Sequence, residues 1–509
     1  MSFNLCTEPW IPVRSGEAVV TVSLEEALLN ARAYERIEHE SPLVTVAVYR
    51  LLLAVLHRAL KGPERTSDAA GWYHDGFPNS EIQAYLEHWR DRFDLFGSHA
   101  FMQIPDLPTE GLTDHWSRLA AERGSGNTSF LFNNRLRDNA PAASDGIPPS
   151  EAVLRLLEHQ TFAIGGLMKR LGVVSAQGAP SATTALVMAA GNNLLETLCL
   201  NLVAYSTSDR MRDLPAWERD PIRTKQLEGG FKTAMRGLTD RYTWLARGIR
   251  LERDETNLVR FIAFAPGVTL EGEGEKEPMA AMYAGKDGVM RSLGLREDRG
   301  LWRDFHALIP RPDGVQAIRT LEHARTVLNA LGKGAHLRAY VFAQANDKGK
   351  LLLTRAEAFS LPGIVLTDSD ARVFIERILQ HAERVGRNLE AAARTLAEKL
   401  LAAGERKPLG ADVAKLAQTF AHGPRYWTTL ERAFTPFLES LPSDPDEFDA
   451  KQKEIETAWI KGAEIAAWNA FGLAEQSAGM TARALRATEG ARGMLAVLLA
   501  RGESKKEKP

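Results

Sequence analysis

The sequence predicts a predominantly helical α+β protein with two parts. A large mixed α/β N-terminal domain is expected over residues 1–363, and a C-terminal four-helix bundle over 364–509. Beyond residue 363 the chain is almost wholly helical in pattern, and no regular alternation of strand and helix precedes it. A doubly wound nucleotide-binding sheet is therefore not expected. The chain opens with an extended segment, and the middle third contains strand-like runs at 242–252, 258–270 and 335–345, the last of them followed by the turn-forming residues 346–349.

Composition excludes several classes of protein. The 509 residues carry 63 Lys+Arg against 65 Asp+Glu, a formal charge of −2, which rules out a polycation of the ribosomal type but not local basic surfaces. With only Cys6 and Cys199, neither a disulfide framework nor a CxxC motif can form. The first residues lack the basic and apolar regions of a signal peptide. A cytoplasmic protein is expected.

The first domain begins with helical signals. Ser23 followed by Glu26 is a capping-box pattern, and Pro42 suits the first turn of the next helix. The apolar stretch 43–60 is interrupted by Arg50 and His57, so a buried helix is favoured over a membrane span. Helical periodicity is also expected over 150–206.

The C-terminal part shows one apolar helical face followed by three interruptions. Breaks are expected at Gly404–Gly410, Leu441–Pro445 and Gly472–Gly479, which leaves four helices and indicates an antiparallel bundle. From residue 366 onward, 21 Lys/Arg face 21 Asp/Glu. The apolar face of the first helix consists of Ile375, Ile378, Ala382, Val385, Leu389, Leu396 and Leu400.

Motifs of familiar enzymes are missing from the sequence. The twelve histidines form neither HExxH nor a Cys/His cluster, so no metal is expected. No nucleophile elbow, phosphate-binding loop or dinucleotide fingerprint is found, and no cofactor is expected. Carboxylates are too numerous for an acid–base pair to be selected by sequence alone, so a hydrolase is disfavoured without being excluded.

Three segments could contact nucleic acid, each with a simpler alternative. Residues 123–139 combine arginines, asparagines and phenylalanines, although a surface loop with an apolar anchor is the commoner explanation. Gly165-Gly166 followed by Lys169-Arg170 could bring bare backbone to a groove, although a helix break is more frequent. Residues 232–260 carry seven Arg/Lys against four Asp/Glu, which usually marks a solvated face.

Particular strings resemble one known family. Together they are similar to the large subunit, CasA, of the type I-E CRISPR surveillance complex Cascade, and the resemblance covers essentially the whole chain. The strings are FNLCTEPWIPV at 3–13, SPLVTVAVYRLLLAVLHRAL at 41–60, HAFMQIPDL at 99–107, EPMAAMY at 277–283 and REDRGLWRDFHAL at 296–308.

The resemblance implies a protein that is not an enzyme. Members of the family recognise the protospacer-adjacent motif (PAM) in double-stranded DNA, help to unwind the adjacent duplex and recruit a separate helicase-nuclease. Guide RNA pairing reads the sequence proper. The implied partners are other Cascade subunits, crRNA, double-stranded target DNA and the helicase-nuclease, with neither a membrane nor a small-molecule substrate. The bundle is expected to dock on neighbouring protein subunits.

The resemblance also implies particular site residues. The family's recognition loop corresponds to about 124–150, and its crRNA-contacting motif falls on Leu131, Phe132 and Asn133. The glycine loop that enters the minor groove matches Gly165 and Gly166, and the PAM-reading lysine matches Lys286. The wedge, a short turn bearing a glutamine that splits the first base pairs, falls on Ala343, Gln344 and Ala345.

Two other functions remain open on the sequence. One is a carboxylate-dependent nuclease or hydrolase in the first domain, which a cleavage assay with Mg²⁺ would detect. The other is a purely structural scaffold subunit, which would keep motif-dependent binding after substitution of Lys286 and Gln344.

Overall fold

The computed structural model describes residues 2–120, 146–204, 207–272, 274–285, 287–309, 318–333, 336–347, 349–402 and 407–503. The chain folds as two compact units. The first comprises residues 1–301 and 310–359, and the second 302–309 and 360–509. A segment of eight residues thus joins the second unit although it precedes the predicted boundary at 363 by more than fifty residues.

Helices of the first unit, within the described residues, are mostly short. They are α1 (Leu24–Leu29), α2 (Pro42–Ala59), α3 (Thr66–Asp75), α4 (Asn79–His88), α5 (Pro149–Phe162), α6 (Leu194–Asn201), α7 (Thr207–Arg212), α8 (Thr224–Leu227), α9 (Leu238–Tyr242) and α10 (Arg319–Ala330). The Ser23 half of the predicted capping box of α1 is confirmed, since the Ser23 hydroxyl accepts a hydrogen bond from the Glu26 amide at 3.2 Å. The Glu26 carboxylate instead accepts a hydrogen bond from the Tyr34 hydroxyl at 2.9 Å.

Strands of the described chain form small sheets of two or three strands. They are β1 (Ile11–Ser15), β2 (Ala18–Val22), β3 (Arg36–Ile37), β4 (Thr113–His115), β5 (Gly166–Arg170), β6 (Val173–Ala176), β7 (Leu186–Ala190), β8 (Lys232–Thr233), β9 (Arg247–Arg253), β10 (Val259–Pro266), β11 (Thr269–Leu270), β12 (Met282–Ala284), β13 (Met290–Ser292), β14 (Leu337–Asp347) and β15 (Lys350–Leu361). The sheet orders are β2-β1-β3, β4-β10-β9, β11-β8, β12-β13, β15-β14-β7 and β5-β6.

Strand predictions in the middle third are confirmed by β9, β10 and β14, whereas the prediction for 150–206 is partly wrong. Helix α5 ends at Phe162, and three strands, β5 to β7, occupy the middle of that range. Every residue of β7 is buried, and a short apolar run of this kind cannot be distinguished from a helix by periodicity alone.

Helix α2 lies at the centre of the first unit. By length and composition it could cross a membrane, but 89 % of its apolar window is buried inside the protein, as in a core helix. Its Arg50 is buried as well, and Nη1 donates to the Glu277 carboxylate at 2.6 Å. The Arg241 guanidinium lies 3.2 Å from the same carboxylate oxygen, so one buried anion serves two buried cations.

The second unit is a helical bundle. Its described helices are α11 (Gly363–Thr367), α12 (Ser369–Leu401), α13 (Gly410–Thr419), α14 (His422–Glu439), α15 (Pro445–Ala478) and α16 (Ala482–Glu503). The four long helices pack together, α12 contacting α14, α15 and α16. The three predicted breaks omit one that the structure shows between α13 and α14. There Ala421 adopts φ 54°, and Gly423-Pro424 follows it in the first turn of α14.

An aromatic cluster fills the bundle core. The Phe434 ring centroid lies 5.9 Å from Phe437 and 6.1 Å from Trp459, and Phe374 lies 6.2 Å from Phe437. Phe305, from the eight-residue segment, lies 5.2 Å from Phe434. Buried aromatic area of this kind explains why that segment belongs to the second unit.

Candidate nucleic-acid interface

The predicted glycine pair lies at the start of β5, with Gly165 directly before the strand and Gly166 as its first residue. Helix α5 ends at Phe162, three residues before Gly165, so the pair does not itself break the helix. A side chain at Gly165 would meet the backbone nitrogen of Gly178 at 2.7 Å, so packing requires glycine there. At Gly166 no atom lies within 4 Å of the position of a Cβ, and the residue is exposed. The bare backbone of Gly166 is therefore open to a ligand.

Three consecutive carbonyls in front of this pair are held by different parts of the chain. The Phe162 carbonyl accepts a hydrogen bond from Gln344 Nε2 at 2.8 Å. The Ala163 carbonyl accepts one from the Ala179 amide at 2.8 Å, and the Ile164 carbonyl accepts one from Arg247 Nη2 at 2.8 Å. We call residues 162–164 and these three donors the carbonyl clamp. It satisfies acceptors that the end of α5 leaves without helical partners.

Gln344 is part of this clamp and is not an exposed wedge. It lies inside β14 with 3 % of its surface exposed, and its Nε2 also donates to the Ala182 carbonyl at 2.7 Å. Ala343 and Ala345 are buried too. The prediction of a turn at these three residues is wrong. The strand pattern at 335–345 is the better guide, because all three residues lie inside β14, the central strand of the sheet β15-β14-β7.

The turn that follows is the exposed part of the β14–β15 hairpin. We call Asn346, Asp347, Gly349 and Lys350 the hairpin tip; Asp347 and Lys350 are exposed and Asn346 is half-buried. Gly349 has φ +78°, and a Cβ at this residue would lie 3.3 Å from the Gly165 carbonyl oxygen. The hairpin tip therefore lies directly beside the glycine pair.

Strands β5 and β6 extend from the glycine pair as an exposed hairpin. Leu167 is 79 % exposed, Lys169 is exposed, and a left-handed turn at Leu171-Gly172 connects the strands. Arg170 is held inward, with Nη1 donating to the Asp114 carboxylate at 2.7 Å and to the Phe264 carbonyl at 2.7 Å. Of the predicted basic pair, Lys169 is thus the residue that faces solvent.

A cavity of about 110 Å³ adjoins the glycine pair and is lined in part by Arg118, His159, Arg247 and Gly349. Arg247 is 2 % exposed, and burial together with the charge of Arg118 lowers its pKa to about 10, so it keeps its charge at neutral pH. Burial and the neighbouring charge of Arg247 lower the pKa of His159 to about 3, which keeps this imidazole neutral. The positive charge beside the glycine pair therefore comes from arginine and not from histidine.

The basic stretch 232–260 is not simply a solvated face, because Arg241 and Arg247 within it are buried. Sequence reasoning missed the structural role of Arg247. The available signal was its position at the first residue of a strand with an alternating pattern, where an inward arginine demands partners.

Other predicted residues lie outside the described part of the chain. They are Leu131, Phe132, Asn133 and Lys286. Of the predicted loop 124–150, only its end is described: Ile147 pairs with Val259, and α5 begins at Pro149. Within the described residues, no group of three His, Cys, Asp or Glu side chains could hold a metal ion.

Comparison with known proteins identifies the family. The profile of CRISPR-associated protein Cse1 matches residues 4–470. A CRISPR-associated protein CasA/Cse1 of Thermus thermophilus is 40 % identical over 478 residues, covering 92 % of each chain. A crystal structure of Thermus thermophilus CasA superimposes with a TM-score of 0.85 at 37 % identity, covering 98 % of this chain and 100 % of that one.

A more distant structure shows the same fold. A chain of a CRISPR RNA-guided surveillance complex matches with a TM-score of 0.74 at 21 % identity, covering 97 % of this chain and 99 % of that one. The extent of the profile match and the sequence identity to the Thermus protein establish family membership. This chain belongs to the CasA/Cse1 family, the large-subunit family that its sequence resembles.

Proposed function

We propose that this chain is the DNA-recognition subunit of a type I-E CRISPR surveillance complex. In this function it reads the PAM in double-stranded DNA, opens the adjacent duplex and helps to recruit the helicase-nuclease, while crRNA and the other subunits supply sequence reading. Family membership supports the proposal, and so does the carbonyl clamp, which presents the open backbone of Gly166 beside an exposed hairpin tip.

The contact with DNA is assigned to backbone and a few side chains. Gly166 is narrow enough to enter a minor groove, and Lys169 can approach a phosphate next to it. Minor-groove readout is degenerate, which suits tolerance of several PAM variants. Lys286 remains the predicted PAM-reading lysine, and Leu131, Phe132 and Asn133 remain the predicted crRNA contact.

Duplex opening is reassigned from Gln344 to the hairpin tip. Gln344 cannot leave β14 without giving up two hydrogen bonds, whereas Asn346, Asp347 and Lys350 already border solvent next to Gly165. Inserting a small turn has to offset only about a few kcal/mol of unstacking per base step. In this proposal Gln344 is a positioning residue that fixes both the tip and the glycine pair.

The bundle is assigned to protein contacts. Its 21 Lys/Arg and 21 Asp/Glu from residue 366 onward leave no net charge to attract DNA. Exposed apolar side chains are present on its described helices, among them Ile465, Leu485 and Val497. These are suited to docking on neighbouring protein subunits.

The test is PAM-dependent binding by the reconstituted complex with Gly166→Ala. We expect roughly a tenfold or greater loss of affinity for PAM-containing duplex, because a methyl group on the open backbone prevents close approach to the groove. Gly71→Ala is the matched control, since no atom lies within 4 Å of its Cβ position either. The complex is expected to assemble with both variants.

Three outcomes would contradict the proposal. Unchanged PAM-dependent binding with Gly166→Ala, Lys286→Ala and a substituted hairpin tip would indicate a scaffold. Loss of assembly with Gly166→Ala would assign the residue to subunit contacts. Plasmid cleavage by the purified chain with Mg²⁺, abolished by substitution of a single carboxylate, would indicate a nuclease.

A further inference from the structure

A second cavity in the first unit has a chemistry of its own. It measures about 470 Å³, within the usual range for small-molecule sites, and it is lined by segments around Arg92, Trp217, Arg236 and Trp244. None of the carbonyl clamp or hairpin-tip residues lines it. It is therefore separate from the proposed DNA contact.

Two of the carboxylates in its wall are already neutralised. Glu218 accepts hydrogen bonds from Arg58 Nε at 2.8 Å and Nη2 at 2.5 Å, and from the Tyr85 hydroxyl at 2.6 Å. Asp240 pairs with Arg219 at 2.5 Å. These groups do not oppose an incoming anion.

Three arginines of the wall remain without an acidic partner among the described residues. Arg92 makes only a long contact, 3.5 Å, with the Arg219 carbonyl, and no bond of the Arg212 or Arg236 guanidinium is present there. Asp220 is the remaining carboxylate of the lining. Three cations against one anion leave a surplus of two positive charges.

Part of the wall is apolar. Trp244 and Val268 are buried in a hydrophobic cluster, and Ile222, Phe231 and Leu245 are partly buried against it. The Trp244 Nε1 already donates to the Val268 carbonyl at 3.2 Å, so the indole offers an apolar surface and no free donor. A planar group could lie against these side chains.

We propose that this cavity binds a nucleotide with a terminal phosphate. The phosphate, with a charge of roughly −1.5 to −2, would contact Arg92, Arg212 and Arg236, and the base would pack against Phe231 and Ile222. A free nucleoside monophosphate and the phosphorylated end of a nucleic-acid strand share this chemistry.

Isothermal titration of the purified full chain distinguishes these sources. The probes are AMP, CMP, adenosine, inorganic phosphate and a 5′-phosphorylated trinucleotide. We expect AMP and CMP to bind, and adenosine and phosphate each to bind at least about tenfold more weakly, because each lacks one half of the ligand. Tighter binding of the trinucleotide than of AMP would identify a strand end, and equal or weaker binding a free nucleotide.

Variants assign the binding to this cavity. Arg212→Gln with Arg236→Gln removes two charges from exposed side chains, so the fold is retained, and affinity for AMP is expected to fall about tenfold or more. Phe231→Ala is expected to weaken the binding of AMP but not the binding of inorganic phosphate. Lys225→Gln with Arg432→Gln, exposed side chains outside the lining, is the matched control.

Three results would overturn the proposal. The first is that no nucleotide gives a binding heat at millimolar concentration, and the second is that phosphate binds as tightly as AMP. The third is that the double arginine variant keeps both its melting temperature and its affinity for AMP.

Discussion

The two units are stabilised by different means. In the first unit, buried polar side chains hold the chain: Gln344 and Arg247 bind backbone carbonyls, and Glu277 lies between two buried arginines. In the second unit, a core of aromatic and aliphatic side chains follows helical periodicity, with Phe374, Phe434 and Trp459 among its members. Polar contacts demand specific geometry, whereas apolar packing tolerates volume-conserving exchange. The first unit is therefore the one that can fix a binding segment.

The largest expected effect is in the first unit. Glu277→Ala leaves Arg50 and Arg241 buried without their shared anion, and we expect the free energy of unfolding to fall by about 3–5 kcal/mol. Amide hydrogen exchange, read separately on peptides of each unit, measures the effect. Protection is expected to fall in the first unit. Glu447→Ala, which removes an exposed pair with Lys451, is the control and should leave protection in both units nearly unchanged.

Phe434→Ala is the counterpart in the second unit. It removes a buried ring from the cluster with Phe437 and Trp459, and we expect a loss of about 3–4 kcal/mol there. Phe434→Leu should recover more than half of this, because shape matters less than volume in an apolar core. If the leucine variant were as unstable as the alanine variant, the contrast between the units would fail.

Gln344→Ala tests the carbonyl clamp. Removing Nε2 leaves the Phe162 and Ala182 carbonyls without that donor, and we expect a cost of about 1–3 kcal/mol together with faster amide exchange around residues 163–166. Gln418→Ala, at an exposed position of α13, is the control. Unchanged exchange in the glycine segment would show that Gln344 does not position it.

Lowering the pH is expected to cause the smallest loss of stability, counted per buried histidine. Burial lowers the pKa of His57 and His159 to about 3 and that of His323 to about 4, all in the first unit. These histidines stay neutral when folded but gain a proton near pH 6.5 when unfolded, so stability is full above 6.5 and lost as the pH falls toward those lower values.

Between pH 7 and 6 we expect at most about 1 kcal/mol per histidine. The readout is again exchange in each unit, and a selective loss of protection in the second unit at pH 6 would contradict the assignment.

Prediction from sequence succeeded where a pattern is local. The apolar face of α12 is confirmed by the burial of Ile375, Ile378 and Leu389. The break at Ala421 was missed although Gly423-Pro424 follows it in the sequence. The transfer of 302–309 to the second unit could not be predicted, because it depends on contacts of Trp302 and Phe305 with a residue more than a hundred positions away.

The candidate site shows the same limit. Gly165 and Gly166 could be selected from sequence, but only the fold separates a glycine needed for packing from one open to a ligand. Gln344 was predicted to be exposed, but its side chain is buried and donates to the Phe162 and Ala182 carbonyls. These acceptors lie more than 150 residues earlier in the chain, so sequence alone could not show the contact.

The carbonyl clamp has a consequence for the rate of encounter. Since its three peptides are ordered during folding, their conformational entropy is not lost again when a groove is engaged. If Gly166 contacts a groove as proposed, association there would be limited by diffusion and orientation and not by a preceding rearrangement of the protein. Each complex would then meet DNA with the glycine segment already in its binding conformation. A complex on DNA without a PAM would dissociate without a preceding conformational step.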